Sequence, residues 1–286
     1  MSRSLDALAH AKINISLEVV GRRDDGYHQV TTLLHQLGLA DLLSFRLANG
    51  LNLKCDVPCL ENEDNLVLQA ARLLKKRTGY TLGAAMTLDK KIPVAGGLGG
   101  GSSDAATTLT ALNRLWDLGL DGKDLIDLAT QLGSDVPFFL EGACALAEGR
   151  GEVVTPLPAV DGWWALILPQ PSVRLKDKTA RLYSMLGEQE FTDGSTTRRM
   201  ADKVRNGAAV MSDFVDGINV FEQVATGVFP DLDEHRTALL EAGAAFVRLS
   251  GSGPTLFTLA NSREDGEGIL SRLKGKGDKA YLVKLM

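Results

Sequence analysis

Cysteine is scarce in this chain: Cys55, Cys59 and Cys144 are the 3 in 286 residues. They are too few and too scattered for a disulfide framework. Cys55 and Cys59 also lack the second ligand pair of a zinc site, so all read as reduced thiols in a cytoplasm. Positive charge is not in excess either. A net charge of −5 argues against non-specific nucleic-acid binding. No apolar run reaches the length that spans a membrane, and Met1 to Ala11 lacks the apolar core of a signal peptide. There is no internal repeat. What is left, 44% hydrophobic and 23% charged residues, describes an ordinary soluble globular protein with room for two domains.

One stretch is dense in glycine. From Lys91 the chain reads Ile92-Pro93-Val94-Ala95-Gly96-Gly97-Leu98-Gly99-Gly100-Gly101-Ser102-Ser103-Asp104. The apolar residues that follow, Ala105, Ala106, Leu109, Leu112, Leu115 and Trp116, recur at helical spacing, with Ser102 or Ser103 as the expected N-cap. A glycine loop feeding a helix N-terminus presents unpaired N–H groups and partial positive charge, which suits a nucleoside triphosphate. Three other glycine motifs fail on spelling. No lysine follows Gly101 as in a Walker loop, no register supplies a dinucleotide fingerprint, and neither serine sits in Gly-x-Ser-x-Gly. A flexible Gly/Ser linker fits poorly inside a continuous apolar pattern.

The remaining elements follow in order. Residues 5–20 read as a strand with Ile13, Ile15, Leu17 and Val19 on one face and Lys12, Asn14 and Ser16 on the other. Lys12 is then either a cation aimed into a site or part of a solvated face. Asp25-Gly26 predicts a turn that delivers Tyr27 and His28, as a ring-binding pair or an exposed turn. Asn49-Gly50 predicts a hairpin between strands at 41–48 and 51–57. A helix from Leu66 to about Gly79, capped by Asp64 or Asn62, leads to a strand at 80–88. A helix over 121–132 ends at Gly133, and Asp135 beyond it is either a tuned proton acceptor or a turn residue. The chain is expected to divide into domains 1–160 and 161–286. In the second, strands are expected at 163–168, 245–249, 256–260 and 280–285, and helices at 213–228, 232–242 and 264–273. The stretch 169–206 is expected to be helical with loops, and Ser250-Gly251-Ser252-Gly253-Pro254-Thr255 is a second small-residue loop.

The order of these patches resembles the GHMP kinases, the family of galactokinase, homoserine kinase and mevalonate kinase. The pieces that carry the resemblance are Ala11-Lys12-Ile13-Asn14, the Pro93 to Ser103 loop and the late Gly251-x-Gly253-Pro254-Thr255 loop. Asp25-Gly26-Tyr27-His28, the extra glycines before Ser102-Ser103-Asp104 and Leu132-Gly133-Ser134-Asp135-Val136-Pro137 narrow it to a branch whose alcohol substrate carries a cytidylyl group. The resemblance implies an α+β, two-domain GHMP kinase fold, with an N-terminal domain like the second domain of ribosomal protein S5 and a ferredoxin-like C-terminal domain. It implies Lys12 and Asp135 as the catalytic pair. ATP would be held by Pro93, Val94, Ala95, Gly96, Gly97, Leu98, Gly99, Gly100, Gly101, Ser102 and Ser103, with Asn65 near adenine. Asn14, Tyr27, His28 and Tyr183 would bind the cytidylyl substrate. ATP is the co-substrate with Mg2+, for which Ser103 is the candidate ligand. The enzyme would be a monomer or weak homodimer in the cytoplasm, without nucleic-acid or membrane partners. Asn219-Val220-Phe221-Glu222 departs from the family, which often has an aspartate where Val220 stands. Another GHMP kinase, of homoserine or mevalonate type, and a non-catalytic nucleotide-binding protein are the alternatives.

Overall fold

The computed structural model describes residues 4–160, 162–169, 177–273 and 279–286. Strands β1 (Ser4–Arg22) and β2 (His28–Ala48) each pass from one compact unit into the other. The first unit holds residues 1–11, 39–93 and 99–141, and the second holds 12–38, 94–98 and 142–286. The sequence reading placed a single cut after residue 160, whereas compactness interleaves the chain, because both long strands serve both units.

In the first unit, β3 (Asn52–Cys55), α1 (Leu66–Thr78), β4 (Gly83–Asp89), α2 (Gly100–Leu115), α3 (Gly122–Leu132) and α4 (Phe138–Glu141) follow in order. The expected hairpin at Asn49-Gly50 does not form. Instead β4 lies between its neighbours, antiparallel to Leu42–Ala48 of β2 and parallel to β3. The reason is burial: this central position encloses Ala84, Met86 and Leu88, while Gly83 passes close to Gly50. Helix α1 is capped by Asn65, whose side chain accepts from Val67 N at 2.9 Å, rather than by Asp64 or Asn62. Its Val67, Ala70, Ala71 and Leu74 join Leu109 and Leu112 of α2 and Leu128 of α3 in one core.

The second unit contains β5 (Cys144–Gly149), β6 (Val153–Leu157), β7 (Trp164–Leu168), α5 (Lys178–Ser184), α6 (Ser195–Arg205), α7 (Met211–Val215), α8 (Glu222–Ala225), α9 (Leu232–Glu241), β8 (Arg248–Leu249), β9 (Leu256–Ala260), α10 (Arg263–Leu273) and β10 (Tyr281–Lys284). Here β2 pairs antiparallel with β5 through Val30–His35, and β5 pairs antiparallel with β6. A separate antiparallel sheet runs β10-β7-β9-β8. Within the stretch 169–206, residues 170–176 lie outside the described residues.

The helix expected over 213–228 is split into α7 and α8. Leu17 of β1 donates to Ile218 O and accepts from Val220 N, which draws the intervening backbone out of helix. A tertiary pairing overrides local periodicity there. Among the described residues, no helix is long and apolar enough to cross a membrane.

Candidate active site

The glycine loop passes from the first unit, through Val94–Leu98 in the second, and back to the first at Gly99. Helix α2 starts at Gly100, with Gly99 at the N-cap in the left-handed region (φ 71°), so the expected serine caps lie inside the first turn instead. The cause is an anchor placed just after them. Buried Asp104 accepts from Lys90 Nζ at 2.8 Å, and Lys90 also donates to Asp41 at 2.5 Å. Asp41 in turn accepts from the Lys91 and Ile92 N–H groups at 2.6 and 2.8 Å. One carboxylate–ammonium–carboxylate cluster thus ties the entry of the loop to the first turns of α2. Burial raises the Asp104 carboxyl to about 7 against the pull of Lys90, while Asp104 and Asp41 hold Lys90 above its ordinary value despite burial. No side chain caps α2 and its first turn holds no acidic residue, which leaves that end open to an anion.

In the second unit, Lys12 is buried on β1, and its Nζ donates to Asn14 Oδ1 at 2.6 Å. Asn14 Nδ2 donates to Thr32 Oγ1 at 2.8 Å, and Thr32 donates to Ser16 O at 2.7 Å. This chain of bonds turns the Asn14 amide oxygen toward the ammonium, so the alternation on β1 does bring Lys12 and Asn14 together. The Lys12 N–H donates to Leu98 O at 2.9 Å and holds the glycine loop to the strand.

The late loop closes against the same segment. Ser250 Oγ donates to Gly97 O at 3.0 Å, and Thr255 N donates to Gly96 O at 3.2 Å. Thr255 Oγ1 is buried with no partner among the described residues. Asn219, on the segment with the departure, holds this loop by donating to Leu249 O and Gly251 O, each at 2.8 Å. Val220, where the family often has an aspartate, is buried in an apolar core with Leu17 and Leu249. That segment's task here is bracing.

Gly97 shows how tight this packing is. Its φ is +83°, and a Cβ would lie 2.1 Å from Ser250 O. Gly97→Ala therefore meets both left-handed strain, about 1–2 kcal/mol, and a backbone clash. We expect thermal unfolding to show a loss of about 2 kcal/mol or more.

Tyr27 and His28 leave the turn at Asp25, which accepts from Tyr27 N at 3.1 Å. The Tyr27 ring is exposed under the Arg150 guanidinium, 4.7 Å from its centroid. His28 stacks on Tyr183 of α5 at 4.6 Å and 16°, with Phe191 edge-on at 5.9 Å. Burial and the Arg22 charge lower its pKa, keeping the imidazole neutral near pH 7, and its buried Nε2 has no partner among the described residues. A neutral ring with a spare nitrogen can bond the edge of a base.

Two further expected residues, Asn65 and Asp135, belong to the first unit. Asn65 is engaged at α1, accepting from Val67 N and donating to Leu60 O at 2.8 Å. Asp135, half-buried in the turn between α3 and α4, belongs to the first unit, whereas Lys12 belongs to the second. Among the described residues, no group of three or more acidic, histidine or cysteine side chains could hold a metal. Sequence reasoning missed Lys90, Asp41, Asn219 and Lys178 of α5. Their partners are distant along the chain, 49 residues for Lys90 and Asp41, so no local pattern marks them.

Comparison with known proteins shows the family. The model for the GHMP kinases N terminal domain matches residues 65–143, and that for the GHMP kinases C terminal domain matches 201–279. A 4-diphosphocytidyl-2-C-methyl-D-erythritol kinase of Dehalococcoides mccartyi is 42% identical over 99% of this chain and 98% of its own length. One from Listeria monocytogenes is 37% identical over 96% and 94%. A crystal structure of 4-(cytidine 5'-diphospho)-2C-methyl-D-erythritol kinase superposes with a TM-score of 0.82 at 33% identity, covering 98% of this chain and 99% of that one. Homoserine kinase from Cytophaga hutchinsonii shares the fold at a TM-score of 0.77 and 21% identity, over 99% and 95% of the two chains.

Proposed function

Because the chain belongs to the GHMP kinase family, with the two-domain α+β fold of that family, we propose that it transfers the γ-phosphate of ATP to the C2 hydroxyl of 4-diphosphocytidyl-2-C-methyl-D-erythritol. The products are the 2-phosphate and ADP, an ATP-dependent step in making isoprenoid precursors. The observation that carries this reading is 42% identity over 99% of the chain to a kinase bearing that name.

Phosphoryl transfer demands positioning and charge neutralisation more than covalent chemistry. Asp135 takes the proton of the C2 hydroxyl as that oxygen bonds to the γ-phosphorus, and the bond from phosphorus to the ADP oxygen breaks. Lys12, aligned by Asn14, offsets charge developing on the transferred group. Residues 93–103 and the uncapped start of α2 hold the phosphates. The Ser103 hydroxyl would be the protein ligand of a magnesium ion, which would supply neutralisation of the charge on the ATP phosphates. Asn65 is assigned to the adenine side.

Tyr27, His28 and Tyr183 take the cytosine. His28 supports this best, since a stacked neutral imidazole with an unpartnered buried nitrogen matches a base, which homoserine and mevalonate lack. His28→Ala is expected to raise KM for the cytidylyl substrate by about tenfold or more, from a lost hydrogen bond and stacking worth about 1–3 kcal/mol. KM for ATP should stay within about twofold, as steady-state kinetics would read. The activity itself is tested by coupled ADP release with the cytidylyl alcohol, homoserine and mevalonate in parallel. Turnover with only the first supports the proposal, turnover with another alcohol moves the chain elsewhere in the family, and silence with all three favours a non-catalytic nucleotide-binding protein.

A further inference from the structure

Helix α5 begins with Lys178, whose Nζ donates to Ala95 O at 2.8 Å and also to Gly253 O. Beside it, Thr179 Oγ1 lies 2.9 Å from Ser252 Oγ. The first two residues of α5 thus join the 94–98 and 250–255 segments. An ammonium has three N–H donors, and among the described residues two of them have acceptors, both neutral carbonyls. No carboxylate among the described residues pairs with this cation.

Lys12 approaches the same late loop, since a Cβ on Gly251 would lie 3.4 Å from its Nζ. Lys178 at Gly253 and Lys12 at Gly251 thus approach one loop of small residues. A phosphate oxygen offers a charge-assisted bond that a carbonyl does not.

We propose that Lys178 is a phosphate-binding residue of the reaction, its third N–H taking an anionic oxygen beside the loops it joins. The inference rests on the kinase reading above. The phosphate comes either from ATP or from the diphosphate of the cytidylyl substrate, whose base is assigned to Tyr183 on this same helix.

The protonation of Lys178 supplies a specific test. Burial and then the Lys12 charge lower its pKa to about 8. The 94–98 and 250–255 segments bring no titratable side chain, Asp177 and Arg181 flank it on its own helix, and Lys12 on β1 is the charge whose field acts on it. A bond to phosphate needs the protonated form, so affinity falls as pH rises through about 8.

The experiment compares wild type, Lys178→Met and Lys178→Arg in steady-state kinetics from about pH 7 to 9.5. It adds calorimetric binding of a non-hydrolysable ATP analogue and, separately, of CDP. Expected for Lys178→Met is a rise of about tenfold or more in one KM and the matching Kd. A rise for the ATP analogue assigns the triphosphate, and a rise for CDP assigns the substrate diphosphate. Lys178→Arg, which keeps its charge, should retain binding and lose the alkaline limb near pH 8 that wild type shows. Constants within about twofold of wild type in Lys178→Met, or an alkaline limb unchanged in Lys178→Arg, would overturn the inference. A wild type that binds both nucleotides without turnover would refute the kinase reading instead, with the calorimetry still deciding Lys178.

Discussion

Asp135→Asn lowers kcat by about two to four powers of ten, the usual worth of general-base assistance, and leaves the Kd for ATP within about twofold. Asparagine keeps the size and one acceptor of aspartate but cannot take the hydroxyl proton at neutral pH. The loss therefore falls on the chemical step, not on binding. Two features make this substitution a clean probe. Asp135 lies in a turn of the first unit between α3 and α4, outside the apolar core built on α1, α2 and α3. Its replacement empties no cavity in that core, and an unfolding scan run in parallel separates any change of stability from the loss in kcat. Single-turnover phosphate transfer and calorimetry read the two halves of the prediction. An Asp135→Asn enzyme of near wild-type kcat would remove the aspartate from the mechanism and leave positioning by Lys12 and the loops as the source of rate.

The second large effect is on stability. Lys90→Met leaves Asp41 (0% exposed) and Asp104 (3% exposed) facing each other without the cation that bonds both. Removing one partner of a buried charge cluster costs about 3–5 kcal/mol. For a chain of this size each kcal/mol shifts Tm by about 2–4 °C, so a fall of about 10 °C is expected in calorimetry. Asp104 is already held near 7 by burial, and without Lys90 it would keep its proton to higher pH. The double variant Lys90→Met with Asp104→Asn should lose less than the single one, because a charge leaves the buried site. Since the cluster anchors both ends of the glycine loop, KM for ATP should rise in parallel. A loss below about 1 kcal/mol would show that the cluster is solvated.

These two predictions differ in how far the sequence foretold them. The glycine loop, the helix behind it and the Lys12–Asn14 face of β1 are local patterns, visible because glycine and period-two alternation act within a few residues. The start of α2 was misplaced because it depends on Asp104 meeting Lys90, 14 residues earlier. The hairpin at Asn49-Gly50 was misread for a related reason. Its turn chemistry is real, but β4 gains more by lying between β2 and β3 than they gain by pairing with each other. Asn219 and Lys178 were invisible as site residues, since what they hold is the backbone of loops far along the chain. The family resemblance reached Tyr183, and the structure sets that ring on His28, 155 residues away by number (183 − 28).

The measurement closest to the central claim is phosphorus NMR of the product formed from ATP and 4-diphosphocytidyl-2-C-methyl-D-erythritol. The account predicts a new phosphate monoester signal, an intact pair of diphosphate signals and one ADP per monoester. ADP without a new monoester, or loss of the diphosphate pair, would contradict it.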